Sequence, residues 1–193
     1  MIFQTAIIDP PWPYREVRAG KSQGYVCDQY KLMPIDELKT LPVGDVVSGY
    51  LFCWTTGPFV WESVELMKAW GFEYKSQLVW HKNTGLGVGY WFRGDHELVM
   101  VGRKPNVPSV RCPKQRSIFA SPRLKHSQKP DTIHEIIEQN FPGPYLEIFG
   151  RRSRPNWTVL GNEAPDDGKD IRESLKLVRK THSPVPADFL QDL

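Results

Sequence analysis

Cysteine is scarce in this chain of 193 residues: Cys27, Cys53 and Cys112 are its only three, and none sits in a Cys-x-x-Cys pair. Any disulfide would leave an odd thiol over, which argues against a disulfide-stapled secreted domain and leads us to expect a reducing, cytoplasmic setting. No apolar stretch approaches the roughly 20 residues that a membrane helix needs. Met1 to Trp12 carries no basic segment ahead of an apolar run, so no signal peptide is expected there. The five histidines lack metal-ligand spacing, and without a His-Glu-x-x-His or a paired cysteine cluster no metal is expected. A Gly-x-Gly-x-x-Gly fingerprint is missing too, and Gly150 stands alone. There is no Ser/His/Asp or Cys/His set of the kind covalent catalysis uses.

Strong overall charge is also lacking. The formal net charge is +3, with 40% hydrophobic and 24% charged residues, which suits one globular domain with a sizeable core. The distribution says more than the total. Between Leu98 and Pro130 stand Arg103, Lys104, Arg111, Lys114, Arg116, Arg123, Lys125 and Lys129, with no Asp or Glu among them. Arg151, Arg152 and Arg154 form a second cluster, and Arg15, Arg18 and Lys21 a third. A single cluster reads as a solvated face, whereas three clusters point to a polyanionic partner such as a nucleic acid.

Along the chain, Phe3-Gln4-Thr5-Ala6-Ile7-Ile8 predicts a strand stopped by Asp9-Pro10-Pro11. Tyr14 to Tyr30 is polar and basic and is expected to form a loop. Pro34 to Leu41 predicts a short helix, and Tyr50 to Trp54 a buried central strand. Thr55-Thr56-Gly57-Pro58 offers a cap and a proline start to a helix carrying Phe59, Val60, Val64, Met67 and Trp70, with Gly71 as its stop. Further strands are expected at Tyr74–Trp80, Glu97–Gly102, Tyr145–Phe149 and Trp157–Leu160, with a helix at Ser127–Asn140 presenting Ile133, Ile136 and Ile137 on one face. This alternation predicts an α/β sheet covered on both faces. From Ala164 onward the composition turns charged, with one helix expected around Asp170–Lys180. Residues 1–163 therefore read as the domain and 164–193 as a charged tail or partner-binding arm.

Asp9-Pro10-Pro11-Trp12 carries the chemistry. An exocyclic amino group on a heteroaromatic ring is a poor nucleophile because its lone pair is delocalised into the ring. Two acceptors aimed at its hydrogens favour a tetrahedral nitrogen and strengthen as positive charge develops there. Asp9 supplies a carboxylate, and prolines without N–H donors leave a turn rich in carbonyl acceptors. Trp12 offers a flat face for an extracted base, worth about 1–3 kcal/mol in stacking. Tyr14 and Trp80 are candidates to complete an aromatic cage. His96-Glu97 is expected to order its loop.

Around this motif stand Met33-Pro34-Ile35-Asp36-Glu37-Leu38, Tyr50 to Trp54, Leu66 to Phe72, Leu78-Val79-Trp80, Gly89-Tyr90-Trp91-Phe92-Arg93 and His96-Glu97-Leu98. His126 to Asp131, Glu147-Ile148-Phe149-Gly150-Arg151 and Pro155-Asn156-Trp157 to Gly161-Asn162-Glu163 follow. In this order, over nearly all of Met1 to Glu163, they resemble the MT-A family: the catalytic subunit of the eukaryotic mRNA adenosine methyltransferase with its bacterial and phage relatives.

The resemblance implies a Rossmann-like class I methyltransferase fold in permuted order, with the catalytic motif N-terminal and the cofactor strand C-terminal. It implies S-adenosyl-L-methionine as cofactor and the 6-amino group of adenine as target, with Asp9, Pro10, Pro11 and Trp12 as the catalytic residues. Asp9, Lys129, Arg151, Asn162 and Glu163 are implied at the cofactor, Lys129 from the start of the Ser127–Asn140 helix. Arg111 and Arg116, with Tyr14 and Trp80, are candidates for substrate binding. DNA is the expected substrate and the chain a monomer or homodimer; RNA adenosine methylation and a catalytically silent nucleic-acid-binding subunit are the alternatives. Cys112 precedes Pro113, the reverse of the Pro-Cys order that cytosine ring-carbon methylation uses.

Overall fold

The computed structural model describes residues 3–14, 32–83, 91–112, 114–122 and 128–181. Its strands are β1 (Phe3–Ile8), β2 (Val47–Thr55), β3 (Glu73–His81), β4 (His96–Arg103), β5 (Ile118–Ala120), β6 (Tyr145–Ile148) and β7 (Trp157–Leu160). Its helices are α1 (Ile35–Lys39), α2 (Val43–Val46), α3 (Val60–Ala69), α4 (Thr132–Asn140) and α5 (Ile171–Thr181). The strands form one mixed sheet in the order β5-β3-β4-β2-β1-β6-β7. β1 runs parallel to β2 and β6, and β6 parallel to β7, while β4 is antiparallel to both β2 and β3. The architecture is the expected Rossmann-like α/β arrangement.

Alternation along each strand sorts the apolar runs onto two faces. Ala6, Ile8, Leu51, Cys53, Leu146 and Ile148 join one core with Leu38, Val43, Leu66 and Met67 of α1, α2 and α3. Ile7, Phe52, Trp54, Trp80 and Val159 join the other with Ile133, Ile136 and Ile137 of α4. A strand buried on both sides has no polar alternation to show, which is why β1 and β2 read as continuous apolar runs. α5 sets Ile171 and Leu175 into the first core. The 164–181 stretch is thus packed against the sheet, and 182–193 lies outside the described residues. No helix among the described residues is long and apolar enough to cross a membrane.

Several element boundaries differ from the sequence expectation. The helix expected from Ser127 begins only at Thr132. Pro130 disfavours helical backbone at Lys129, so Lys129 sits in the preceding connection rather than at a helix start. Thr56 makes no cap with its side chain, and the segment Gly57–Phe59 is a 3₁₀ turn leading into α3. α2 and β5 carry too few residues, four and three, for any periodicity to announce them.

The exit of β6 is built on Gly150. Its amide donates to the Leu160 carbonyl at 3.2 Å, and a Cβ there would fall 2.2 Å from Val159 Cγ1. Gly150→Ala is therefore expected to cost about 1–3 kcal/mol through forced separation of β6 and β7. Urea unfolding would measure this as a lowered midpoint; an unchanged midpoint would show that the strand exits can part freely.

Candidate active site

All parallel strands end on one edge of the sheet, and the chain leaves β1 towards β2 on one side while β6 and β7 arrive on the other. That reversal opens a crevice beyond the strand ends, and Asp9 lies at it, immediately after β1, with its amide donating to the Ile148 carbonyl of β6 at 3.3 Å. Because β4 is antiparallel, its first residues come to the same edge. Leu98 pairs with Thr55 and Glu97 with Trp80, so Glu97 enters the crevice from a strand that starts where its neighbours stop.

The crevice is a cavity of about 260 Å³. Its lining includes Asp9, Pro10, Pro11, Trp12, Tyr14, Trp80, Lys129, Arg151, Asn162 and Glu163 together. A second hollow of about 450 Å³ shares Asp9, Trp54, Lys129, Phe149 and Arg151 with it and runs on to His134 and Glu147. Arg111 and Arg116 are exposed on the connection between β4 and β5 and belong to neither lining.

An alternating chain of charge crosses the floor. Lys129 Nζ lies 3.0 Å from Asp9 Oδ2 and 3.2 Å from Glu97 Oε2, and Lys82 Nζ lies 2.8 Å from Glu97 Oε1. Both ammonium groups also face tryptophans, Lys129 at 5.3 Å from the Trp54 ring centre and Lys82 at 5.5 Å from that of Trp80. Burial pushes the Asp9 carboxyl above its ordinary 3.8, a rise that Lys129 opposes and Glu97 reinforces. Burial acts on Glu97 in the same sense, but Lys129 and Lys82 more than offset it, so Glu97 ends below the usual carboxylate range. For Lys129, burial would lower the ammonium pKa, and the two carboxylates reverse this and raise it. Lys129 is held charged, Glu97 is held more acidic than an ordinary glutamate, and Asp9 is left more basic than an ordinary aspartate.

The turn after Asp9 is tighter than its prolines suggest. Trp12 N–H donates to the Pro10 carbonyl at 2.8 Å, and Met33 N–H to the Pro11 carbonyl at 3.0 Å. Donors from two and more residues away thus reach both proline carbonyls, contrary to the expectation of an uncontested turn. Each carbonyl keeps a second lone pair. Trp12 is only 4% exposed, stacks on Phe59 with ring centres 5.1 Å apart, and donates its indole N–H to the Trp54 carbonyl at 3.1 Å. Trp80 is 2% exposed, meets Trp54 edge-on at 5.8 Å and donates to the Ser121 carbonyl at 2.9 Å. Tyr14 shares a hydrogen bond of 2.8 Å with Thr56, which holds its ring edge-on to Phe59. These aromatics form rigid walls of the cavity with one part in the core.

On the other side of β1, Phe149 adopts a left-handed backbone (φ 64°), a strained choice for an aromatic residue. It turns the chain at the β6 exit, bringing Arg151 to the rim, where its Nε lies 3.4 Å from Glu163 Oε2. Arg152 and Arg154 both pair with Asp131. Lys104 donates to the Trp70 carbonyl, and Arg103 to that of Val107. Much of the basic character read from the sequence is therefore spent on internal ties. Arg15, Arg18, Lys21, Arg123 and Lys125 lie outside the described residues.

The sequence pattern assigns His96-Glu97 to loop ordering, and the structure divides the pair. His96 faces Asp95 at 3.2 Å, whereas Glu97 belongs to the charge chain. The antiparallel placement of β4 is the only signal for this, and it is a property of the sheet. Lys82, Trp54, Phe149, Glu37, Asp170 and Arg172 also line the cavity, although the sequence pattern assigns them no such role.

A Rossmann-like sheet with an acidic, aromatic-walled crevice at its strand ends defines the general class. Residues 3–163 match the MT-A70 family model, and the chain belongs to the MT-A70 family. It is similar to the type II methyltransferase M.MunI of a Mycoplasma species, with 30% identity over 88% of this chain and 81% of that protein. It is also similar to the N(6)-adenosine-methyltransferase MT-A70-like protein of Drosophila melanogaster, 30% identical over 83% of this chain and 27% of that one. The N(6)-adenosine-methyltransferase catalytic subunit METTL3 of Homo sapiens is 28% identical over 83% of this chain and 28% of its own length. The chain thus spans most of the first relative and little more than a quarter of the other two.

The raised Asp9 pKa has a consequence for stability. The folded state holds the proton more tightly than the unfolded state, so ionised Asp9 is a burden that is fully present above its folded pKa and relieved as pH falls towards 3.8. Asp9→Asn mimics the neutral form. It is expected to melt higher than the wild type at neutral pH, with the gain shrinking on acidification. Calorimetry at several pH values would check this, and a variant less stable than wild type at pH 7 would contradict it.

Proposed function

We propose that this chain transfers a methyl group from S-adenosyl-L-methionine to the 6-amino group of adenine in DNA. The observation that carries the reading is Asp9: a half-buried carboxylate with a raised pKa, at the end of the first parallel strand, inside a crevice walled by Trp12, Tyr14 and Trp80. The longer match to the type II methyltransferase than to the adenosine enzymes supports DNA over RNA. In this reading the chain is permuted, with the catalytic strand β1 first and the cofactor strands β6 and β7 late; their adjacency in the sheet supports that order.

The residues present fit the donor. Lys129 suits its carboxylate, Asp9 its ammonium, and Glu163 with Asn162 and Arg151 its ribose hydroxyls. When bound, S-adenosylmethionine supplies a methyl group on a sulfonium that departs as a neutral thioether. Asp9 Oδ2 is taken by Lys129, so Oδ1 accepts from one amino hydrogen of the base, and the second lone pair of the Pro10 carbonyl accepts from the other. As the nitrogen lone pair becomes the new N–C bond, the amino group turns acidic, and Asp9 Oδ1 takes its surplus proton and passes it to water. Burial that makes Asp9 more basic makes it a better acceptor at that moment. Trp12 and Trp80, already fixed in the core, confine the base without having to be ordered first.

Asp9→Ala is expected to lower the methylation rate by about 10²–10³-fold, the usual cost of losing one aimed acceptor or donor, with S-adenosylmethionine binding weakened less. Matched DNA and RNA oligonucleotides, assayed by mass analysis of the product nucleoside, check both rate and substrate. A variant at near wild-type rate would overturn the mechanism, RNA-only product would move the substrate, and absence of donor binding by calorimetry would favour the silent subunit. The acid limb of the wild-type rate should lie above pH 3.8, because Asp9 must ionise to act. If exposed Arg111 and Arg116 hold phosphates, replacing each by Ala should flatten the dependence of log affinity on log salt by about one unit; binding titrations across salt would show it.

A further inference from the structure

The crevice extends unequally about Asp9. β2, β4 and β3 lie to one side and carry Trp54, Glu97 and Trp80; β6 and β7 lie to the other and carry Phe149, Asn162 and Glu163. At about 4.8 Å per strand, Trp80 stands roughly 14 Å from the β1 end and Asn162 roughly 10 Å on the opposite side. The two ends are differently built. The Trp80 end is aromatic, while the crevice is also lined by Met33, Phe149 and Ile171 and by the carboxylates of Glu37, Glu163 and Asp170.

Ile171 and Arg172 come from the start of α5 and Asp170 immediately precedes it, all beyond the 3–163 range of the family match. This segment is tied down at both ends. Asp167 accepts from the Gly161 amide at 2.9 Å and from Ser174 Oγ at 2.6 Å, which fixes it to the turn after β7. Arg172 pairs with Glu37 of α1, closing the far side, and its amide donates to Asp170 Oδ1 at 2.9 Å. Ile171 is 3% exposed and Met33 9%. The result is a stretch of lining that combines apolar and acidic side chains, bridged by an ion pair between elements far apart in sequence.

We propose that α1 and the start of α5 form a clasp that receives the nucleoside end of the methyl donor, with Met33, Phe149 and Ile171 against the purine and the acidic groups facing its amino and hydroxyl donors. The inference rests on the donor reading above and adds to it residues that the 3–163 match does not reach. The Glu37–Arg172 pair holds the wall in place, and both residues act as positioning groups.

Full-length protein titrated calorimetrically with S-adenosylmethionine and S-adenosylhomocysteine tests it, using Glu37→Arg, Arg172→Glu and the exchanged pair, with melting followed for each. Each single variant should bind both ligands about tenfold more weakly, the usual effect of removing a charge-assisted hydrogen bond, while KM for the oligonucleotide stays within twofold. The exchanged pair should recover most of the affinity. Single variants that remain folded and bind like wild type would overturn the clasp, as would an exchanged pair as weak as the singles. A second measurement needs no variant: donor binding should slow amide exchange in α5, and unchanged exchange would also count against the clasp. Wild-type protein that binds neither ligand would instead defeat the donor reading itself.

Discussion

Lys129 carries one positive charge between two carboxylates, 3.0 Å from Asp9 and 3.2 Å from Glu97, at the edge where the parallel strands end. Removing charges from water is costly, and a carboxylate left alone there would protonate. Two carboxylates on one ammonium cannot both be fully compensated. Lys82 resolves the competition by pairing with Glu97 on its far side. Glu97 is thereby fixed as the permanent anion, and Asp9 is left with a share of Lys129 and a carboxyl that takes up a proton more readily than usual. The difference between the two acids is made by their neighbours, since both start from similar intrinsic acidity.

That division depends on strand direction. Had β4 run parallel to β2, its first residues would lie at the opposite edge, and Glu97 and the closing pair to Lys82 would be lost from the crevice together. The antiparallel strand is what lets one edge collect strand ends from β1, β2, β3, β6 and β7 and a strand beginning from β4. The tryptophans serve the same end. Trp12, Trp54 and Trp80 are anchored by indole hydrogen bonds or edge contacts, so the low-dielectric walls that sharpen these charge effects stay in place.

Much of this is legible in the sequence where local chemistry decides it. The strand at Phe3–Ile8 and its proline stop, the helix ending at Gly71, and the apolar triplet of α4 follow from periodicity and from what proline and glycine permit. Asp9, Lys129, Arg151, Asn162 and Glu163 follow from motif order and do line one cavity. What is not legible is what the sheet brings together. Glu97 reads as an ordinary charged residue until β4 is known to be antiparallel, and Arg152, Arg154 and Lys104 read as free basic charge until their partners Asp131 and the Trp70 carbonyl are seen. The start of α5 reads as tail because its outward residues are charged, while the few inward ones, Ile171 and Leu175, are too few to advertise burial.

Charge balance in the crevice bears on which ligand it suits. Among the described residues its lining carries five carboxylates, Asp9, Glu37, Glu97, Glu163 and Asp170, against four cations, Lys82, Lys129, Arg151 and Arg172. On the proposed donor reading, this set of described residues, one charge short of neutral, is matched by a ligand with one net positive charge, which is what a sulfonium, an ammonium and a carboxylate make together. Loss of the methyl group turns the sulfonium into a neutral thioether and removes that match without altering a single contact to the nucleoside. On the proposed donor reading, the same excess of acid that favours the donor holds the spent form less firmly. This discrimination needs no moving part, because it follows from charges that Lys129, Lys82 and the Glu37–Arg172 pair already hold in place.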